Sequence, residues 1–251
     1  MNAAAYVAPV SPNAGDLVRR RGALTCFSMN IMGEEVEIAM PLAGRHQLRN
    51  LALAIATAEE LSKLGFAISP RQVAAGVRDT RWPGRFQLEP ASGDGSRPEM
   101  VIDVAHNPAG AWALRAALSD YILPREEEEA AGGRKLIIVY GAMRDKAVRE
   151  VGRILFPLAE KVVLTKAAGN PRAATIAELR EAIGDCGTPL LEAGNVADAL
   201  QLAIEHARPF GTSALLVVTG SIYVVGEAMQ ALQVQPEAAA TGAAPIIYPK
   251  I

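Results

Sequence analysis

From Met100 to Leu232 the chain alternates, five times over, a short apolar run with an amphipathic helical stretch. Strands are predicted at Met100–Val104, Leu136–Tyr140, Val162–Thr165, Leu190–Leu191 and Leu215–Thr219. Helices are predicted at Pro108–Tyr121, Lys146–Leu158, Ile176–Ile183, Val196–Ala207 and Ile222–Leu232, with Thr175 and Glu178 forming a capping box before the third. Parallel strands need long crossovers, and a helix in each crossover must bury its apolar stripe on a sheet face. The expected fold class is therefore α/β: a Rossmann-like, doubly wound, mostly parallel sheet with helices on both faces. Arg85–Leu88 is expected to add an antiparallel edge strand through the turn Ala91–Ser96. Glu126–Glu129 with Gly132-Gly133 reads as a solvated loop, and the segment after Gln233 as a loosely held tail.

The first third reads differently. Residues 1–16 form an irregular lead-in. Leu24–Met29 and Glu35–Met40 carry strand patterns, the second alternating acidic and apolar residues, and Asn30–Gly33 can turn a hairpin between them. Leu48, Leu51, Ile55, Ala58, Leu61 and Leu64 recur at helical spacing, with Gly65 as the stop. Ser69, Pro70 and Gln72 open a second helix with a capping box, and Ile68 and Val73 are spaced for a hydrophobic staple. The stiff run Asp79–Arg85 ends this pattern, so the chain divides at residues 84–90.

Composition excludes several classes. A formal net charge of -2 gives no bulk attraction to nucleic acid or an anionic membrane. No apolar stretch is long enough to span a bilayer. Two cysteines and three histidines match no zinc spacing, and the cysteines suit a reducing, cytoplasmic setting. No phosphate loop of the Gly-x-x-x-x-Gly-Lys-Ser/Thr type, no dinucleotide Gly-x-Gly-x-x-Gly and no Gly-x-Ser-x-Gly elbow occurs.

Open parallel sheets bind ligands at the carboxyl ends of their strands. The first of those ends reads Asp103-Val104-Ala105-His106-Asn107-Pro108, two titratable side chains beside a helix start. Asp103 either serves a ligand or ties down the turn. The second reads Gly141–Lys146, with Asp145 a ligand group or a helix cap. The third runs Thr165–Arg172 and holds two further cations, and the last is Thr219-Gly220-Ser221, an anion cradle or a cap. Arg85, at the junction, is placed as a phosphate clamp or a junction ion pair. His46 and Asn50, four apart, share one face of the first helix.

Taken in order, Gly44–Asn50, Trp82–Arg85, Asp103–Pro108, Gly141–Lys146, Pro171–Ala173 and Thr219–Tyr223 resemble the folylpolyglutamate synthase/dihydrofolate synthase family of the Mur ligase superfamily. The likeness runs from about Gly44 to about Leu232. It implies an ATP-dependent amide ligase that adds L-glutamate to a pteroate or folate through an acyl phosphate, with Mg²⁺. By this resemblance Asn50 contacts the nucleotide base, Arg85 its phosphates and Asp103 its ribose side. His106 is the expected catalytic residue, close to the reacting phosphate and the incoming glutamate, and Ser221, Lys146 and Arg172 are expected on the glutamate. The division implied is residues 1–84 as the end of a central ATP-binding domain and 85–251 as a glutamate ligase domain. A monomer is the expected state.

Two departures qualify the resemblance. Val104 replaces a glycine common in the family motif, and family members are much longer at the N-terminus. The absent portion carries the phosphate loop, the magnesium ligands and most of the folate site. The expectation is a chain that cannot ligate glutamate alone and whose residues 1–80 are its least stable part, with an exposed edge and an uncovered apolar face. A Mur-type ligase for a peptidoglycan precursor and a non-catalytic Rossmann-like binding module are the competing readings.

Overall fold

A computed structural model describes residues 19–21, 24–122 and 133–233. The solvated loop expected at Glu126–Glu129, the lead-in and the tail after Gln233 lie outside these residues.

The larger sheet is built from runs that are apolar on both sides. Strands β5 (Glu99–Ile102), β6 (Lys135–Tyr140), β7 (Lys161–Leu164), β8 (Leu190–Glu192) and β9 (Ala214–Thr219) are mutually parallel. All six residues of β9 are buried, as a central strand covered on two faces requires. The short β4 (Gln87–Glu89) pairs with β5 in antiparallel fashion and closes one edge, giving the order β4-β5-β9-β6-β7-β8.

Helices α3 (Pro108–Ile122), α4 (Val148–Leu155) and α5 (Ile176–Ile183) follow β5, β6 and β7, and bury Leu114, Val151 and Leu179 against one face. The chain then reverses. Helix α6 (Val196–Ala207) carries it from the far edge back to β9, and α7 (Ile222–Ala231) follows. These two cover the opposite face with Leu200, Ala203, Val224 and Ala228. Along β6 the alternation is plain: Leu136, Ile138 and Tyr140 face the first group, Ile137 and Val139 the second.

The smaller sheet has the order β1-β2-β3, from β1 (Arg19–Arg21), β2 (Leu24–Ile31) and β3 (Glu34–Met40). Sequence pattern missed β1, whose three arginines carry no apolar alternation. The hairpin turns on Met32 and Gly33, both at positive φ (51° and 87°), the type I′ signature whose twist suits antiparallel strands. Helices α1 (Arg45–Lys63) and α2 (Pro70–Arg78) cover this sheet. Val36, Ile38 and Met40 of β3 meet Leu51 and Ile55 of α1 in a third core. The expected uncovered face is thus packed, and exposed apolar bulk remains at Leu53, Leu64 and Phe66. The Gly65 and Phe66 amides donate to Ser62 and Leu61 carbonyls, which closes α1 as a Schellman motif. Ser69 and Gln72 cap each other at the start of α2.

One helix start needs correction. Helix α4 begins at Val148 rather than Lys146, and Ala147 sits at its N-cap without a side-chain bond. Asp145 does not cap it, because its carboxylate is engaged by Arg172. At the other end Pro157 tightens Phe156–Leu158 into a 3₁₀ turn.

Candidate functional site

The reversal between β8 and β9 puts the last strand between β5 and β6. The loops after β5, β9 and β6 therefore lie side by side, and the helices leaving β5 and β9 go to opposite faces. That is a topological switch point, where a crevice opens at the carboxyl edge of the sheet. Close backbone contact holds its floor. Thr219 Oγ1 donates to the Ala105 carbonyl at 3.4 Å, and Gly220 lies at φ 103°. A Cβ on Gly220 would fall 2.5 Å from the Tyr140 ring and 2.6 Å from the Gly141 carbonyl oxygen, so only glycine fits.

Asp103 is the most constrained group in the crevice. It is 7% exposed, and its two carboxylate oxygens accept the Phe86 and Ala105 amides, each at 2.8 Å. Burial pushes its pKa above the ordinary carboxylate value. The two amide hydrogen bonds, then the charges of Arg85 and His46, oppose that rise. Phe86, buried and at φ 45°, holds a left-handed backbone that an aromatic residue rarely adopts. Asp103 thus ties down the junction, as one of its two sequence readings states, and remains within the field of a cation.

Arg85 stands next to this anchor. Its guanidinium lies over the Trp82 ring, 5.3 Å from the centroid, and makes no direct ion pair among the described residues. A half-buried cation with an aromatic face behind it and no carboxylate in contact is free to take an anionic ligand. His46, from the start of α1, belongs to the same neighbourhood. Burial lowers its pKa below 6.5, Asp103 pulls it up, and Arg85 pushes it down.

His106 is half-buried, and its Nδ1 faces the Val104 carbonyl at 3.0 Å. A carbonyl only accepts, so Nδ1 carries the proton and Nε2 presents a lone pair. Asn107 caps α3 through the Gly110 amide, leaving His106 just ahead of that helix. Val104 itself is buried against Ile102 and Val225.

The second group of candidates is mutually paired. Arg172 donates to Asp145 at 2.9 Å, and Lys146 lies 3.5 Å from the same carboxylate. The Arg172 hydrogen bond holds the Asp145 carboxyl below its ordinary pKa. Arg144, outside the expected set, bonds both oxygens of Glu178 and the Pro171 carbonyl, locking the loop after β6 to the loop after β7. Lys166 makes no ion pair among the described residues. Ser221 is buried and caps α7, accepting from the Tyr223 amide; its hydroxyl proton is left to donate.

The structure therefore gathers Arg85 and Asp103 with His46, and joins Lys146 to Arg172 through Asp145. Asn50 stays apart: it is exposed on α1 and donates to Gln47 Oε1 at 3.0 Å. His46 was visible in sequence only as a face-mate of Asn50, and its coupling to Asp103 crosses 57 positions of chain that no periodicity reports.

A doubly wound sheet with cationic loops and helix starts at its carboxyl edge is the architecture of the C-terminal domain of Mur-type ligases. Residues 84–222, more than half of the chain, match the family described as Mur ligase, glutamate ligase domain, and the chain belongs to that family. The dihydrofolate synthase/folylpolyglutamate synthase of Mycobacterium tuberculosis is 31% identical over 206 residues, covering 76% of this chain and 39% of that protein. The UDP-N-acetylmuramoyl-L-alanyl-D-glutamate–2,6-diaminopimelate ligase of Brucella melitensis is 30% identical over 200 residues, covering 78% of this chain and 37% of that one. Among solved structures, Mycobacterium tuberculosis folylpolyglutamate synthase complexed with ADP and AMPPCP superimposes with a TM-score of 0.69 at 27% identity, over 88% of this chain and 48% of that one. The chain thus spans less than half the length of each of these relatives.

Proposed function

We propose that this chain supplies the nucleotide-side and amino-acid-side residues of an ATP-dependent ligase that adds L-glutamate to a dihydropteroate or tetrahydrofolate. The observation that carries this reading is Arg85, a half-buried guanidinium without a direct carboxylate partner, set beside the buried Asp103 at the switch-point crevice. Residues 1–84 form the close of an ATP-binding domain and residues 85–251 the glutamate ligase domain.

When bound, ATP supplies the phosphoryl group that turns the folate carboxylate into an acyl phosphate. The chain's own residues hold and orient. The Arg85 fork takes phosphate oxygens, and its charge offsets the negative charge that gathers on them. Asp103 spends one lone pair of each oxygen on a backbone amide, which leaves a second for a ribose hydroxyl. Asn50 offers its amide to the base. His106 Nε2 is unprotonated and placed to receive a proton from the attacking amine. The Ser221 hydroxyl donates to a glutamate carboxylate, with Lys146 and Arg172 as a cationic border that Asp145 partly neutralises. Mg²⁺ has no candidate holder here: among the described residues no group of three His, Cys, Asp or Glu side chains could hold a metal ion, and no step is derived through it.

A monomer acting on small molecules, without nucleic acid or membrane partners, fits this chemistry. Among the described residues no helix is long and apolar enough to cross a membrane. The free Cys26 and Cys186 suit a cytoplasmic setting. The Brucella relative favours a second reading, a cell-wall ligase of the same superfamily.

Calorimetric titration with ADP, then with L-glutamate and meso-diaminopimelate, tests both. ADP binding that Arg85→Gln weakens at least tenfold, with L-glutamate the preferred amino acid, supports the folate reading. Preference for diaminopimelate moves the protein to the cell-wall branch, and binding of neither nucleotide nor amino acid removes the ligase reading.

A further inference from the structure

We propose that His46 is a positioning residue of the nucleotide side of this site, which takes up a proton when a polyphosphate binds at Arg85. The inference rests on the nucleotide reading above and adds to it a titrating group from the other side of the junction.

The geometry begins at Gly44, the N-cap of α1, at φ 100°. A Cβ there would fall 2.8 Å from His46 Cε1 and 2.9 Å from Nδ1, and 3.6 Å from the Ala117 Cβ of α3. The imidazole is thus folded back over its own N-cap into the seam between α1 and α3. A residue with a Cβ at position 44 would expel it. Within that seam neither ring nitrogen has a hydrogen-bond partner among the described residues, although the residue is half-buried. A half-buried imidazole with both nitrogens free is poorly served by the empty site and has capacity for a ligand or a proton.

Charges act on it from two neighbouring elements: Asp103 at the end of β5 attracts its protonated form, and Arg85 at the junction repels it. α3 meets it with the apolar Ala117, and its own helix adds Arg45 and Arg49. In the free protein burial and Arg85 together keep the ring neutral. A polyphosphate at Arg85 brings negative charge that outweighs the guanidinium, so the protonated ring becomes favourable. By linkage, a ligand that raises the affinity of His46 for a proton binds more tightly where the proton is available. Affinity for the anion therefore rises as pH falls through the His46 pKa and is flat well above it.

The test uses the full 251-residue chain, with ADP as probe. The His46 ring resonance is followed by NMR across pH in wild type, Asp103→Asn and Arg85→Gln. Loss of the carboxylate is expected to lower the midpoint and loss of the guanidinium to raise it. Midpoints that stay put in both variants overturn the proposal. Saturating ADP is then expected to raise the wild-type midpoint. Calorimetry should show affinity increasing roughly threefold more between pH 7.5 and 5.5 in wild type than in His46→Gln, whose comparison cancels titration of ADP itself and of Asp103. His46→Gln should keep its melting temperature and its affinity at high pH, which a purely structural role would not allow. ADP that binds without moving the His46 midpoint overturns the proposal and leaves the nucleotide reading standing. Failure of ADP to bind at all removes both.

Discussion

The two sheets contribute to one crevice but are built to different standards. The six-stranded sheet is buried on both faces and carries two large cores, including Leu216 and Leu155 with no exposure. The three-stranded sheet is covered on one face by α1 and α2, and its core holds six buried side chains, with Leu51 still 8% exposed. The first has the packing that places Asp103, His106 and Ser221 to fractions of an ångström. The second delivers His46 and Asn50 on a helix that a small core must hold. Precision and mobility are thus assigned to opposite sides of the junction.

Truncation of one leucine in each core gives the largest contrast. Leu216→Ala should cost about 4 kcal/mol, because a rigid two-sided core relaxes little around a cavity, and Leu51→Ala about 2 kcal/mol. Urea midpoints measure both; equal losses would erase the distinction. Next comes the floor of the crevice. Gly220→Ala meets the Tyr140 ring and the Gly141 carbonyl and should cost about 3 kcal/mol. Gly76→Ala on α2 meets nothing within 4 Å and should gain up to about 1 kcal/mol in a melt.

The pH dependence isolates the junction. Burial raises the Asp103 pKa in the folded state above the ordinary 3.8, so the native protein binds this proton more readily than the unfolded chain. Stability from this group therefore falls as pH rises from 3.8 through the raised value. The lowered Asp145 and Glu178 contribute the opposite slope, lost as pH falls through their folded values. Subtracting the Asp103→Asn profile of denaturant midpoints should leave a curve that declines with pH; a rising curve would mean that the two amide bonds outweigh burial. The smallest effect concerns the caps. Ser69→Ala and Thr175→Ala remove matching capping boxes, each worth about 1 kcal/mol. If the small sheet unfolds first, Ser69→Ala shifts only the early part of a melt followed by Trp82 fluorescence.

The alternating units were legible because parallel strands buried on both faces leave long apolar runs, and helices α5 and α6 have the bounds read from sequence. Capping boxes were legible because the partners lie three residues apart. Helix α4 was misjudged at its start because Asp145 has the chemistry of a cap, and the competing arginine lies 27 positions away. Arg85 and Asp103 were identifiable as chemistry at strand ends and junctions. Their common neighbourhood with His46, and the left-handed Phe86 between them, depend on how two separate sheets meet. Local pattern carries no record of that.

The order of the sheet also has a consequence for how the protein comes into being. The last of the described strands to leave the ribosome, β9, belongs in the middle, between two strands made more than seventy residues earlier. Until it arrives β5 and β6 have no common neighbour, and the crevice has no floor. A nascent chain therefore holds every candidate ligand-binding side chain from Asn50 to Arg172 without a site. The site forms at a single late moment, when a six-residue strand slots into place.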